Sequence, residues 1–362
     1  MSWAPSCAEG FARLYAEEGL RGSPWLAAAL EGLPALEPRF VAGKEGIPPE
    51  HLEPATLYLC RPRGRQLGPC PGSRGHLCCG YRTLDLYLGC TLGCSYCILR
   101  AYLNFAPVTV HPDPEPAVAA LRGLAEANPG RMVRVGTGEV GDSLELDPVF
   151  NLSAHLIRAA AAYPNLHLEL KTKTDRVDHL STVQPKGNAV IGFSLNPEAV
   201  ARDLEPGAAP PGQRLAAARR AAAAGFRLAF HFDPIVLQND SVEQTLRLYL
   251  PLAASLAQFD PGRIAWVSLG AFRFPAALRE RLEIPLLSSA EFVRCGDGKF
   301  RYLQRERSRL YRGLAAELQR CTSAPVYLCM ESAAVWRNVF GRLPRDIPGV
   351  RDIFQPVHGG KQ

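Results

Sequence analysis

The stretch Gly89-Cys90-Thr91-Leu92-Gly93-Cys94-Ser95-Tyr96-Cys97-Ile98-Leu99-Arg100-Ala101-Tyr102 carries three cysteines at C-x3-C-x2-C spacing. Thiolates so spaced can each take one iron of a [4Fe–4S] cube, which leaves the fourth iron without a protein ligand and open to a substrate or cofactor. The alternatives are a zinc knot, which would want a fourth Cys or His close by, and a chance cluster in a chain with 11 cysteines.

An apolar run over 83–88 leads directly into this loop. Similar runs follow at 131–137, 167–173, 189–194, 227–232 and 264–269, separated by helical patterns. Two helix starts are legible: Asp147-Pro148 as N-cap and first helical residue, and Ser241 ahead of Val242-Glu243-Gln244. Near-continuous apolar strands alternating with helices predict an α/β fold with a parallel sheet covered by helices. The leading architecture is a partial (β/α)6 barrel over 83–285, with an open doubly wound sheet as the alternative. Residues 1–82 form an N-terminal helical and loop extension, with helices expected at 8–18 and Pro24–Glu31 and Gly-, Pro-, Arg- and Cys-rich loop chemistry over 57–82. Residues 286–362 form a C-terminal α+β cap, with a basic helix near 301–320 and a strand at 326–330.

In either architecture the working face lies beyond the C-terminal ends of the strands. Strand one delivers Cys90, Cys94 and Cys97, and strand two runs into Gly136-Thr137-Gly138-Glu139 and Asp142, small residues beside two carboxylates. Strand three ends at Lys171 and Lys173, strand four at Ser194 and Asn196, strand five at His231 and Asp233, and strand six at Ser268. His231 is also readable as a satisfied barrel histidine, and Lys171 and His179 as solvent-facing groups.

At 362 residues and 47% hydrophobic the chain can bury a large core. It has no apolar run long enough to span a membrane, and its N-terminus lacks the basic and apolar regions of a signal peptide. The expected location is the cytoplasm, where cysteines read as metal ligands, buried thiols or reactive groups rather than disulfides. A net charge of +6 permits a polyanionic partner. Arg61, Arg63, Arg65, Arg74 and Arg82 interleave with Tyr58, His76 and Tyr81, with no acidic residue before Asp85. Arginines with aromatics can hold phosphates and stack bases; the plain alternative is a solvated loop. Cys60, Cys70, Cys78 and Cys79 of that loop suit either a second metal or buried and reactive thiols.

The cysteine spacing and its setting resemble the radical S-adenosylmethionine (SAM) superfamily. That resemblance implies SAM chelated to the open iron through its amino and carboxylate groups and cleaved reductively to a 5′-deoxyadenosyl radical. A narrower resemblance rests on motifs in order: Gly89-Cys90, Cys94-Ser95-Tyr96-Cys97 and Tyr102-Leu103-Asn104, then Lys173 and Val177-Asp178-His179-Leu180, then Phe193-Ser194-Leu195-Asn196, then Glu205-Pro206-Gly207, Arg214, Gly225 and Phe230. Together they resemble the spore photoproduct lyase family. The resemblance implies a partial barrel and repair of a thymine photodimer in DNA by hydrogen abstraction, fragmentation of the bridge and return of a hydrogen. It also implies cluster ligation by Cys90, Cys94 and Cys97, SAM contacts from Gly138, Glu139, Lys173 and Ser194, and Tyr96 as a catalytic residue near the substrate. The expected partners are SAM, an electron donor such as flavodoxin or ferredoxin, and DNA, with no membrane.

One departure stands out. The lyases carry a hydrogen-donating cysteine just before a Thr-Ser-Asp stretch after strand two, where this chain has Gly136-Thr137-Gly138-Glu139. Either another thiol closes the reaction, with Cys79 and Cys329 as candidates, or the radical is quenched by the returning cofactor or leads to a different product. The sequence favours the second branch, since no other cysteine is read at the C-terminal end of a strand. Alternatives are the same radical chemistry on a peptide, an RNA base or a small metabolite, and, from another class, a non-catalytic zinc nucleic-acid-binding protein.

Overall fold

The computed structural model describes residues 10–73, 75–282 and 291–355. The segment 8–18, expected to be helical, is instead strand β1 (Arg13–Glu17), with Ala8 and Glu9 outside the described residues. It lies parallel between β2 (Pro38–Val41) and β3 (Thr56–Leu59). Both faces of β1 are covered: Leu14 and Ala16 join the main core, while Tyr15 packs with Ile47, Tyr58 and Cys60. Burial on both faces erases the alternation by which a strand is recognised. Helix Pro24–Glu31 forms where expected, capped by Ser23, which accepts the Leu26 amide.

The stretch 57–82, expected to be loop, contains most of β3 and also β4 (Leu67–Pro69), which lies antiparallel on β5 (Arg82–Leu84). The single strand expected at 83–88 breaks at Asp85, whose amide donates to the Gln66 carbonyl. Past that break β6 (Tyr87–Leu88) pairs with β7 (Val108–Val110) in the N-terminal sheet, whose order is β2-β1-β3-β7-β6.

The other expected strands are β8 (Val133–Gly136), β9 (Leu166–Thr172), β10 (Val190–Ser194), β11 (Arg227–Ile235) and β12 (Ile264–Ala271). With β5 they pair in chain order, all parallel, and curl into an open partial barrel. Val133, Val135, Leu166, Leu168, Leu170, Val190, Ile191 and Phe193 have no exposed surface. Burying each such side chain contributes about 1.5–3 kcal/mol. Helix Val242–Ala254 opens on Ser241, which accepts the Gln244 amide. Asp147 occupies the first turn of helix Asp147–Phe150 rather than the cap, and its carboxylate accepts the Ser153 amide at the start of helix Leu152–Ala161.

After β12 the chain makes a small antiparallel sheet of β13 (Arg273–Pro275), β14 (Phe292–Arg294) and β15 (Lys299–Tyr302), then helix Gln304–Cys321. Strand β16 (Val326–Leu328), expected within a separate cap, is parallel to β12 and extends the barrel sheet to the order β16-β12-β11-β10-β9-β8-β5-β4. No helix among the described residues is long and apolar enough to cross a membrane.

Candidate active site at the barrel mouth

Cys90, Cys94, Tyr96, Cys97, Gly138, Glu139, Lys173 and Ser194 all line one cavity of about 250 Å³. The cysteine loop owes its path to two glycines in the left-handed region, Gly89 (φ 91°) and Gly93 (φ 65°). It is pressed from outside by Gly207, whose amide donates to the Leu92 carbonyl and where a β-carbon would come within 2.8 Å of that oxygen. Glu145 accepts from the Thr91 amide and hydroxyl at the loop's start. Burial pushes the Cys94 thiol up to about 11, with Lys173 opposing. Burial, followed by the Glu145 and Asp142 carboxylates, raises Cys90 as well.

The Gly138–Asp142 turn is built for close packing. A β-carbon on Gly138 would meet the Lys171 carbonyl at 2.8 Å, and one on Gly141 would meet the Tyr87 carbonyl at 2.7 Å. Of the two carboxylates read there, Asp142 is spent on the fold: it accepts the amides of Leu144, Glu145 and Lys173 and the Thr172 hydroxyl. Glu139 lines the cavity, and no hydrogen bond from another described residue holds its carboxylate. Lys173 is half-buried; burial works against its charge, but Cys94 and Glu205 outweigh it and hold the ammonium above its ordinary pKa.

Tyr96 presents its ring to the cavity while its hydroxyl donates to Glu205 and accepts from Asn196. Glu205 pairs with Arg214, and both side chains are wholly buried. Asn196 is fixed in turn by the Tyr249 hydroxyl at 2.6 Å. The Asn196, Glu205 and Arg214 motifs therefore anchor Tyr96 from behind.

Sequence reasoning placed His231 and Ser268 at strand ends but missed their partners in the barrel floor, Glu169, Trp266 and Arg134. His231 bridges Ser268 and Glu169, each at 2.6 Å, so it is a satisfied barrel histidine, and Trp266 donates to the same Glu169 oxygen. Burial alone would raise the Glu169 carboxyl, but His231, Arg134 and Lys171 pull it down to about 2. Arg134 lies 4.1 Å from the Trp266 ring centre and also faces Tyr81 and Tyr327. Lys171 lines the cavity, and His179 binds Asp147 at 2.7 Å instead of facing solvent. None of these pairings has a local signal, because the partners lie far apart in the chain.

The basic loop divides. Arg63 pairs with Glu17 of β1 at 2.9 Å, the Arg61 amide binds the same carboxylate, and Arg82 is buried in β5. Arg74 lies outside the described residues. Cys70, Pro71, Cys79 and Tyr81 are the loop residues at the cavity, and the cations that line it are Arg134, Lys171, Lys173, Arg273 and Lys299. Cys60 sits apart from the other loop thiols, beside His111. Among the described residues no three His, Cys, Asp or Glu side chains form a group that could hold a single metal ion.

The sequence model of the family described as spore photoproduct lyase matches residues 79–281. The chain belongs to the spore photoproduct lyase family. It is 27% identical over 178 residues to the spore photoproduct lyase of Geobacillus sp., covering 49% of this chain and 52% of that one. It is 26% identical over 171 residues to that of Bacillus subtilis, covering 47% and 50%. The chain thus spans about half the length of the curated relatives it matches. Spore photoproduct lyase complexed with dinucleoside spore photoproduct superposes with a TM-score of 0.74 at 20% identity, covering 88% of this chain and 98% of that chain. A spore photoproduct lyase double mutant with bound AdoMet and dinucleoside spore photoproduct gives the same TM-score of 0.74. At this identity the likeness establishes the fold.

Within the spore photoproduct lyase family the position of interest is Gly136. A β-carbon there would lie 1.6 Å from the Tyr81 hydroxyl oxygen and 2.6 Å from its Cζ, so the Tyr81 ring fills the space a side chain would need. Burial, followed by the Glu169 carboxylate, raises the Tyr81 pKa. Gly136→Cys is therefore expected to destabilise the fold by about 1–3 kcal/mol through overpacking. The Tyr81→Ala background should remove most of that cost, and a double-mutant cycle of urea melts measures the coupling. A cost of Gly136→Cys that is the same with and without Tyr81 would contradict the packing.

Proposed function

We propose that this chain is a radical SAM enzyme of the carbon–carbon lyase type acting on a thymine photodimer in DNA. The observation that carries the proposal is the convergence of Cys90, Cys94 and Cys97 with Glu139, Lys173 and Ser194 on one cavity beyond the ends of parallel strands. The donor set suits the cofactor. Three thiols on one loop at C-x3-C-x2-C spacing can give one thiolate to each of three irons of a cube. When bound, the [4Fe–4S] cluster with SAM supplies a 5′-deoxyadenosyl radical, given an electron from a flavodoxin- or ferredoxin-type donor.

The chain's own residues bind and orient. Glu139 offers a carboxylate to the SAM amino group, and Lys173 and Ser194 meet its carboxylate or ribose as charge-assisted or hydroxyl partners. Gly138 gives backbone access beside them. Tyr96, with its hydroxyl tied to Glu205, sets a rigid aromatic wall next to the substrate. Arg273 and Lys299 supply positive charge for a phosphate-bearing substrate.

The test is anaerobic reconstitution with SAM, dithionite and dinucleoside spore photoproduct, followed by mass spectrometry. The expected products are 5′-deoxyadenosine and a thymine dinucleotide. 5′-Deoxyadenosine without repair would keep the radical chemistry and move the target to a peptide, an RNA base or a small metabolite. No 5′-deoxyadenosine would sink the proposal.

A further inference from the structure

We propose that Cys329, standing with Cys70 and Cys79 on the cavity wall, donates the hydrogen atom that ends the reaction. This rests on the radical lyase reading above. Once β16 joins the barrel sheet, Cys329 follows the C-terminal end of a parallel strand, the place where barrel chemistry gathers. Its amide donates to the Leu269 carbonyl at 2.8 Å, which ties it to the neighbouring strand. Its sulfur accepts from Arg273 at 3.6 Å, and Arg273 is held on the cavity wall by both oxygens of Asp233, at 3.2 and 3.3 Å.

The protonation state suits the role. A hydrogen-atom donor must be a thiol, since a thiolate has no hydrogen to give. Burial, with Asp233 and Cys79 adding to it, pushes Cys329 up to about 12 against the opposing Arg273 and Lys171 cations. Of the competing groups, the Tyr96 hydroxyl is held by Glu205 and the Tyr81 ring is packed over Gly136. Cys70 follows the antiparallel edge strand β4 and not a parallel strand.

In the step itself, the S–H bond of Cys329 breaks homolytically and a C–H bond forms on the product radical, leaving a sulfur-centred radical. One electron from the iron–sulfur or flavin donor that the reaction already requires, and one proton from solvent, restore the thiol. The hydrogen delivered to product therefore exchanges with water beforehand.

The experiment uses the full reconstituted chain with SAM, dithionite and dinucleoside spore photoproduct in D2O, comparing wild type, Cys329→Ala, Cys329→Ser and Cys321→Ala by mass spectrometry. Wild type and Cys321→Ala should place one solvent deuteron in the repaired product. In both Cys329 variants deuterated product should fall about tenfold or more. Cys329→Ser is nearly isosteric, so a thermal melt matching wild type separates lost donation from lost folding. A second readout needs no turnover: thiol alkylation at Cys329, followed by peptide mapping, should be protected by dinucleoside spore photoproduct. Wild-type deuteration in a folded Cys329→Ser variant would overturn the proposal, and so would absence of both turnover and protection. Failure of wild type to make 5′-deoxyadenosine at all would instead bring down the reading on which the proposal rests.

Discussion

Cys94→Ala is expected to lower 5′-deoxyadenosine formation from SAM by at least about 100-fold, more than the loss of an outer partner of a metal ligand ordinarily costs. Cys94 is 8% exposed, lies between Cys90 and Cys97 in the loop, and has Lys173 as its neighbouring charge. Its removal deletes one of the proposed iron ligands and leaves a site that serine or water cannot refill with a soft donor. Iron and sulfide content should fall with activity, whereas Cys295→Ala, on the small sheet beyond the barrel, should retain both. A Cys94→Ala protein with wild-type iron content and wild-type 5′-deoxyadenosine yield would refute the ligand assignment.

Arg214→Met should cost about 3–5 kcal/mol of folding stability, the range for breaking a buried ion pair from one side. Both partners are wholly buried, and Arg214 also donates to the Ala209 and Ser194 carbonyls, so its loss strands a carboxylate and two backbone acceptors. The pH dependence carries the sign. Burial favours the neutral Glu205 carboxyl, but Arg214 and Lys173 outweigh burial and hold its pKa below the ordinary value. Its contribution to stability is therefore present above the unfolded carboxylate pKa of about 4.3 and is lost as pH falls through the lower folded value. In Arg214→Met the main compensating cation is gone, so the destabilisation should be greatest near neutral pH and shrink in acid. Urea melts at two pH values measure this, and a destabilisation independent of pH would mean that the charge pair is not its source.

The cysteine loop and the barrel strands were legible because their signals are local: ligand spacing within eight residues, and apolar runs long enough to be strands. The helix expected at 8–18 failed because Leu14-Tyr15-Ala16 owes its conformation to β2 and β3 on either side, which propensity does not see. Placing 326–330 in a cap failed for a related reason. Val326-Tyr327-Leu328 is short, and its partner β12 lies far upstream in the chain. The sequence reading named Cys329 as one candidate donor but, with its strand assigned to the cap, placed no further cysteine at a barrel strand end. Tyr81 over Gly136 is likewise a contact between a loop and a strand that no spacing rule reports.

The late arrival of β16 also bears on how the barrel is completed. Strand β12, Ile264-Ala265-Trp266-Val267-Ser268-Leu269-Gly270-Ala271, is buried throughout and pairs on one side with β11. Until residues 326–328 dock, its other side is a row of unpaired backbone groups flanked by apolar side chains, which is a template for another chain. The family match ends at 281, so a protein trimmed to the matched region would keep the proposed cluster loop but lose the strand that shields this edge. The C-terminal segment thus covers an edge that would otherwise be open to pairing. That cover depends on a parallel pairing of high sequence separation, the kind of contact whose chain-closure entropy must be met before it stabilises.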